Sequence, residues 1–323
     1  MSEAKVKVFR SSVTKTYRNF TGTPFDSRKT FEAGAIVTPQ QSLAVDAVEI
    51  LNEVWGIAKA NMTLRNICRV IPMDALKMTI DIASGSTVEK KVPPMTAAKL
   101  ASLRWLHVNF DLWKNVGKVG VAIESELKSR HPQMQLNKEQ VGYDLAYAEN
   151  EQIAEVIEAA TSKAATSYYS DWGALSSGIS STNPLTAITA HCNVVEKAVK
   201  RPVDFMVMHP TLCDKFVQNT HIVRLIHAGM AQFNENSTQG YFKMPNRPAI
   251  KVFTDLALTE TPTTGKGPIL GASTAPAVVL GDGPLMAMQY FDNDKMADYY
   301  QIAQWLEPKI GRSTAISQIL SQN

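Results

Sequence analysis

The sequence predicts an α+β fold, and three features of its pattern support that prediction. A helical run over residues 138–167 is far longer than the mean globular helix of about 11–12 residues. Residues 76–82 and 106–112 alternate apolar and polar side chains, as half-buried strands do. The downstream half mixes helices with strands and ends in a β-rich region. A long helix between extended strands and a mixed domain is therefore expected.

The bulk composition is that of a globular protein. The 323 residues are 45% hydrophobic and 20% charged, enough for a sizeable core. The formal net charge of +3 calls for neither a nucleic-acid nor a membrane partner. Neither a secretory signal nor an apolar run of membrane-spanning length is visible, which predicts synthesis in the cytoplasm. The three cysteines lie far apart without a CxxC pair, which argues against a disulfide framework: Cys68, Cys192 and Cys213.

Residues 1–38 are predicted to be an N-terminal arm. They hold too few apolar groups for a core, but aromatic residues such as Phe20 and Phe25 could dock on another surface. Residues 1–30 carry seven basic side chains against Glu3 and Asp26, a local net charge of +5. The arm could lie on a phosphate backbone or an acidic neighbour, or it could be a solvated terminus. Its leading basic residues are Lys5, Lys7, Arg10, Lys15 and Arg18.

A helix over residues 39–60 and then a β-ribbon are predicted to follow the arm. Thr38 and Pro39 suit the start of the helix. The two alternating strands enclose residues 83–105, an excursion far too long for a tight hairpin, which contains Lys90, Lys91, Pro93 and Pro94. Because an isolated two-stranded ribbon is marginally stable in water, its apolar face needs cover from its own body or from another copy.

The long helix has a predicted start and an amphipathic pattern. Asn137 can cap it, Gln140 stands at the reciprocal position of a capping box, and Leu136 can pack on Val141. Apolar residues follow a helical period from residue 141 to 164. The alternative interpretation is a long core helix of an ordinary domain.

The downstream elements are predicted from local start, stop and turn signals. Asn183 and Pro184 begin a helix, residues 203–208 form a central buried strand, and His209 with Pro210 begins another helix. Residues 219–248 show little pattern, residues 250–254 form a strand, and residues 259–276 form a loop. The last strands are expected at residues 277–280, 285–291 and 297–305, joined by turns at 281–283 and 292–294.

The sequence contains no motif that predicts a catalytic site. The motifs of zincins, α/β hydrolases, dinucleotide binders and P-loop enzymes are missing, which disfavours an enzyme. Neighbouring residues on a helix point about 100° apart, so His191 and Cys192 are poorly placed to share a metal with His209 and Cys213. Buried structural cysteines are favoured, with a hydrolase using Cys213 and His209 as the alternative. We therefore predict no catalytic, cofactor-binding or metal-binding residues and no cofactor.

The order of these elements resembles the major capsid proteins of tailed phages and related archaeal viruses, which have the Hong Kong 97-type fold. The residues that support this resemblance are 119–127 (VGVAIESEL), 205–212 (FMVMHPTL) and 278–282 (VVLGD). Each is a loose pattern, and their order along the chain carries more weight.

The resemblance implies a domain organisation and an assembly. It implies an arm and helix at residues 1–75, an E-loop ribbon at 76–112 and an axial α/β domain at 187–291. Residues 113–186 and 292–323 would form a peripheral domain with the spine helix at 138–167. The subunits would form hexamers and pentamers that close into an icosahedral shell around double-stranded DNA, assembled in the host cytoplasm as a virion capsid.

The resemblance also implies partners. Ribbon residues Lys90, Lys91, Pro93 and Pro94 and arm residues Phe20 and Phe25 become candidate contacts between subunits. Separate portal and decoration proteins are implied, and the segment before the ribbon is too short to include a scaffolding segment, which would be a separate protein or already removed. Self-crosslinking through a loop lysine is disfavoured, because residues 307–320 contain no asparagine. An encapsulin-like compartment that houses an enzyme is the alternative within this fold.

Overall fold

The computed structural model describes residues 51–86, 92, 95, 103–122, 133–159, 168–169, 172, 183–233, 239–245, 247–259, 267–292 and 297–321. The chain divides into two compact units. Unit 1 comprises Met1–Asn61, Trp113–Ala148 and Gly283–Trp305, and unit 2 comprises Met62–Leu112, Glu149–Asp282 and Leu306–Asn323. The predicted start of the first helix and the arm lie outside the described residues.

Unit 1 packs helix α1 and strand β4 against the first half of a long helix. Helix α1 is described over residues 51–61, and its Leu51 and Val54 are fully buried. Strand β4 covers Trp113–Ala122. A side chain at Gly117 of β4 would overlap Val141, and one at Gly142 would press on Ile57 of α1. Small residues therefore let these elements approach the long helix closely.

The long helix α2, the spine helix, runs over Gln133–Ala159 and is confirmed as an element. Its 27 residues span about 40 Å. The predicted capping box is wrong, because the helix begins four residues before Asn137. Asn137 is a helical residue that donates from Nδ2 to the Gly120 carbonyl at 3.5 Å, and Gln140 donates to Asp144 at 2.8 Å. The predicted last turns, residues 160–167, lie outside the described residues.

Unit 2 is built around a six-stranded mixed sheet. Its order is β13 (Ile316–Gln318), β10 (Ile269–Gly271), β6 (Phe205–Met208), β9 (Ala249–Thr254), β8 (Gln239–Lys243) and β7 (Ala231–Phe233). The predicted central strand β6 is buried along its whole length. Its neighbours are parallel β9 and antiparallel β10, which lies in the predicted loop 259–276.

The helices of unit 2 begin where local signals predict. Helix α3 (Pro184–Val199) is capped by Asn183, whose side chain accepts a hydrogen bond from the Leu185 backbone N–H at 3.0 Å. Helix α4 (Pro210–Gln218) is capped by His209, and its Leu212 and Phe216 are buried. Residues 219–248, which show little pattern, contain helix α5 (Thr220–His227) and strands β7 and β8. These elements are too short to leave a periodic signal, although Asn219 caps α5.

The final strands differ most from the sequence prediction. Strand β11 runs unbroken over Val278–Asp292, so the predicted turn at residues 281–283 is wrong. Strand β12 covers Ala297–Ile310, and a four-stranded sheet has the order β1 (Arg69–Pro72), β11, β12, β4. Gly281 permits close packing, because a Cβ there would lie 2.6 Å from the Met73 sulfur and 2.9 Å from Cδ1 of Phe110. A last pair joins β5 (Tyr168–Tyr169) to β14 (Leu320–Ser321), and residues 293–296 lie outside the described residues.

Candidate assembly surfaces

The predicted ribbon is an antiparallel pair within unit 2. Strands β2 (Lys77–Ser86) and β3 (Leu103–Asp111) are paired from Lys77 opposite Asp111 to Ser86 opposite Leu103. Both strands extend three or four residues further from the body than predicted.

One face of the ribbon is polar and solvated. Lys77 Nζ lies 3.2 Å from Asp111 Oδ2, and the Thr79 hydroxyl donates to the Asn109 side chain at 2.8 Å. His107 Nδ1 pairs with the Asp81 carboxylate one step further out. Each of these cross-strand pairs contributes a fraction of a kilocalorie at most, because its members are exposed. These pairs join β2 to β3 and so favour this strand register, but they do not attach the ribbon to the rest of unit 2.

The apolar face of the ribbon is covered by unit 2 near its base. Phe110, Val108 and Ile82 are only 2%, 7% and 8% exposed. A Cβ at Gly311 would lie 3.3 Å from Cδ1 of Ile82, so the β12–β13 connection is one of the covering segments. Of the two kinds of cover that the sequence analysis left open, the chain's own body therefore covers the base of the ribbon.

The ribbon leaves two large side chains exposed further out. Trp105 on the polar face is 54% exposed and Leu106 on the apolar face is 41% exposed. Large apolar groups on both faces of a two-stranded ribbon indicate a surface for another molecule. The contact residues predicted from sequence, in the loop and in the arm, lie outside the described residues: Lys90, Lys91, Pro93, Pro94, Phe20, Phe25, Lys5, Lys7, Arg10, Lys15 and Arg18.

A buried ion cluster in unit 2 escaped the sequence analysis. Arg65 Nη1 lies 3.0 Å from both carboxylate oxygens of Glu149, and Arg65 Nη2 pairs with Asp282. Glu149 is fully buried, on the spine helix, and Asp282 lies in β11 at the wrongly predicted turn. In the sequence, Glu149 differs from Asp144, Glu151 and Glu155 in that a helical period places it among the apolar residues. The cluster fastens a short 3-10 turn (Leu64–Ile67), the helix and the strand to one another.

Burial and the attraction between opposite charges act against each other on the pKa values of this cluster. Burial raises the pKa of Asp282, and the opposing attraction of Arg65 offsets that rise only in part. Burial alone would lower the pKa of Arg65, but Glu149 and Asp282 together raise it. A second network involves Asn150, the residue after Glu149. The Asn150 side chain donates to the Asp255 carboxylate at 2.7 Å, and the Thr63 hydroxyl donates to the same oxygen. Both networks join residues of unit 2 that are far apart in sequence.

The geometry speaks against a cysteine nucleophile. His209 Nδ1 accepts the Thr211 backbone N–H at 3.3 Å, so this nitrogen serves as a helix cap. Burial raises the pKa of the Cys213 thiol to about 11 and that of Cys192 to about 12. A catalytic thiol needs the opposite shift. Among the described residues no group of three or more His, Cys, Asp or Glu could hold a metal ion, and no helix is long and apolar enough to cross a membrane.

Solved structures with the same fold are named as capsids or as a virus-like particle. The capsid of the cyanophage P-SCSP1u aligns with a TM-score of 0.58 and 16% identity over 80% of this chain and 87% of that chain. A virus-like particle from Pyrococcus furiosus aligns with a TM-score of 0.54 and 13% identity over 84% of this chain and 98% of that chain. The capsid of a native GTA particle, computed with C5 symmetry, aligns with a TM-score of 0.55 and 10% identity over 81% and 91%.

The similarity between this chain and these proteins is seen in the structures alone. No protein-family model and no curated protein sequence matches the chain. It covers most of this chain and nearly all of each neighbour, so it concerns the whole architecture of helices and sheets rather than one motif. The resemblance inferred from the order of elements is thereby confirmed at the level of the fold. This chain has the Hong Kong 97-type fold shared by phage capsid and virus-like particle proteins.

Proposed function

We propose that this chain is the major capsid protein of a tailed virus. The observation that carries the proposal is the shared fold over 80–84% of the chain with proteins named as phage capsids or virus-like particles. The exposed Trp105 and Leu106 of the ribbon support it, because a subunit of a closed shell must offer apolar surface to its neighbours. The role is structural rather than catalytic.

The subunits assemble as hexamers and pentamers into an icosahedral shell. Residues 1–75 form an arm and helix, residues 113–186 and 292–323 the peripheral domain, and residues 187–291 the axial domain. The ribbon crosses onto a neighbouring subunit, with Lys90, Lys91, Pro93 and Pro94 at the contact. Phe20 and Phe25 of the arm contact a neighbour as well.

The shell encloses double-stranded DNA without reading its sequence. Basic residues such as Lys5, Lys7 and Arg10 lie in a segment with a net charge of +5, which suits contact with a phosphate backbone or an acidic protein surface. Separate scaffolding, portal and decoration proteins complete the particle, which is assembled in the host cytoplasm.

Electron microscopy of the purified chain tests the proposal. The full-length protein, expressed alone and together with a scaffolding protein from its native source, is expected to form closed particles tens of nanometres across. Image reconstruction should show fivefold and sixfold capsomers of this chain. A discrete monomer or dimer under every assembly condition would overturn the proposal.

An encapsulin-like compartment is the second candidate. The alignment with the Pyrococcus furiosus virus-like particle spans 98% of that chain, so this fold is not confined to proteins named as phage capsids. The contents of particles from the native source separate the two functions. Packaged double-stranded DNA supports the capsid, whereas one co-purifying enzyme at fixed stoichiometry and no DNA supports the compartment.

A further inference from the structure

Four basic side chains lie together where helix α3 of unit 2 ends. Lys197 stands in the last turn of the helix, Lys200 is its C-cap in the left-handed conformation, and Arg201 follows directly. Arg312, from the connection between β12 and β13, donates from Nη2 to the Ala198 carbonyl in the same last turn at 3.0 Å. We call Lys197, Lys200, Arg201 and Arg312 the basic cluster.

Hydrogen bonds hold both guanidinium groups of the basic cluster in place. Arg201 donates from Nη1 to the Thr274 carbonyl, and Arg312 donates from Nε to the Thr314 hydroxyl at 3.0 Å in addition to its bond to the helix. A guanidinium has five N–H donors, so each arginine keeps donors that bind no described residue. The cluster therefore presents positive charges at fixed positions with donors available to a ligand.

Acidic side chains do not neutralise the basic cluster. Glu196 of the same helix is paired with Arg247 at 2.7 Å, and Asp204 accepts hydrogen bonds from the backbone N–H and the hydroxyl of Ser273. In the part of the chain that the structure describes, no acidic side chain forms an ion pair with any of the four basic residues. The negative end of a helix dipole equals about half a charge, which offsets little of this excess. Even with Asp204 counted, the local net charge is +3.

The surroundings of the basic cluster favour a phosphate backbone over an acidic protein surface. Four exposed hydroxyl residues lie in the segments that Arg201 contacts and Arg312 belongs to: Ser273, Thr274, Ser313 and Thr314. Basic side chains and hydroxyl groups are the usual contacts of proteins to nucleic-acid phosphates. The core of a protein interface is instead rich in aromatic groups and depleted in lysine. Among the described residues of these segments and of the end of α3, only Val194 is an exposed large apolar side chain.

We infer that the basic cluster binds the phosphate backbone of double-stranded DNA without reading its sequence. The choice of DNA rests on the proposed function, because DNA is the polyanion that the shell is proposed to enclose. Lys197 and Lys200 supply point charges on flexible stems, whereas Arg201 and Arg312 present guanidinium donors from fixed positions. This contact is additional to the one proposed for the basic residues of the N-terminal arm.

Salt-dependent DNA binding by the unassembled full-length chain tests the inference. Two variants each replace three exposed basic residues with glutamine. The cluster variant changes Lys197, Lys200 and Arg201, and the matched control changes Lys59, Lys114 and Lys243, which lie outside the cluster. Fluorescence anisotropy with a labelled short duplex, at about 50 to 200 mM salt, gives the slope of log affinity against log salt concentration.

The cluster variant should lose both affinity and salt dependence. Each neutralised phosphate contributes about 0.9 to the slope, so the magnitude of the slope should fall by about 2–3 and the affinity at about 100 mM salt should fall more than tenfold. The control variant has the same net charge and should keep most of the slope of the natural chain. Residues 1–30 are identical in both variants, so their contribution cancels in the comparison.

Two results of the binding measurement would overturn the inference. An equal loss of slope in both variants would show that only the overall charge matters. Tighter binding of poly-L-glutamate than of the duplex by the natural chain would point to an acidic protein partner instead.

Electron microscopy of the same variants keeps the proposed function separate from the inference. If particles form and the cluster variant keeps the natural slope, the inference alone fails. If no variant and no natural chain forms particles, yet the cluster variant shows the expected loss of slope, the proposed shell fails and the DNA contact stands.

Discussion

Arg65 is the residue whose loss should cost unit 2 most. Its guanidinium is bound by the fully buried Glu149 and by Asp282, so Arg65→Met would leave two carboxylates without a counter-charge. Breaking a buried ion pair from one side typically costs about 3–5 kcal/mol. We expect a fall of roughly that size in the free energy of unfolding, measured by guanidinium denaturation of unassembled chain.

The neutral triple variant Arg65→Met, Glu149→Gln, Asp282→Asn is the control. It removes the uncompensated charge together with its partners, so it should recover a large part of the lost stability. If the triple variant were no more stable than Arg65→Met alone, the loss would come from packing of the arginine side chain and not from electrostatics.

Asp282→Asn should change how stability depends on pH. Burial raises the pKa of Asp282 above its ordinary value, so this group favours the folded state most when protonated at low pH. Its contribution falls as pH rises through the folded-state pKa, because the buried carboxylate then ionises. Asparagine cannot ionise, so the stability of the variant relative to the natural chain should improve from pH 4 to pH 7 in urea denaturation. A difference that moves the other way would show that Arg65 outweighs burial.

Sequence signals predicted a helix start correctly only where residues next to that start determine it. Asn183 caps α3 as predicted, because the asparagine and the following Pro184 act within one turn. Asn137 has an equally good capping signal, yet the spine helix begins four residues before it. The Asn137 side chain donates a hydrogen bond to the Gly120 carbonyl and does not cap the helix. Tertiary contacts of this kind leave no mark in the neighbouring sequence.

At the scale of elements, variants of the ribbon can test assembly without a large effect on folding. Trp105 and Leu106 are exposed, so Trp105→Ser with Leu106→Ser should change the free energy of unfolding by no more than about 0.5 kcal/mol. The same variant should form far fewer particles, counted by light scattering and electron microscopy, because it lacks the apolar groups proposed to meet a neighbour.

Leu256→Ser is the matched control for the ribbon, since Leu256 is 69% exposed elsewhere in unit 2. Particle yield should stay close to that of the unaltered chain. Normal assembly of the ribbon variant would contradict the proposed contact.

The connection between β12 and β13 depends on a glycine. A Cβ at Gly311 would lie 2.3 Å from the Pro276 carbonyl oxygen and 2.8 Å from Cγ2 of Val279. Because a backbone oxygen cannot rotate away, Gly311→Ala should lower the free energy of unfolding by about 1–3 kcal/mol. Gly56→Ala in α1 meets nothing within 4 Å and should raise it by about 1 kcal/mol. Thermal denaturation of both variants checks the contrast, and equal effects would contradict the packing argument.

The last third of the chain shows why some elements escaped prediction. The segment Gly281–Asp282–Gly283 has the composition of a turn, yet it lies inside β11 beside β1. Gly281 is needed because Met73 and Phe110, far away in sequence, pack directly on it. Composition cannot distinguish a glycine that permits a turn from one that permits close packing.

At the scale of the whole molecule, the order of elements predicted more than any single motif. The ribbon, the spine helix and the buried β6 strand follow one another as expected, and that order sufficed for the fold. The buried cluster of Arg65, Glu149 and Asp282 could not be predicted, because it joins residues more than 80 and 200 positions apart. The proposed contacts between subunits stay predictions, since the residues chosen for them lie outside the described part of the chain.

The unit boundaries have a consequence for synthesis. Three of them fall inside the spine helix, β11 and β12, and each unit is built from three separate stretches of the chain. Neither unit can be complete on the ribosome until residues beyond 282 have emerged, and no single cut releases one as an independent fragment. Nascent chains should therefore keep part of the apolar surface of both units exposed until those residues have been synthesised.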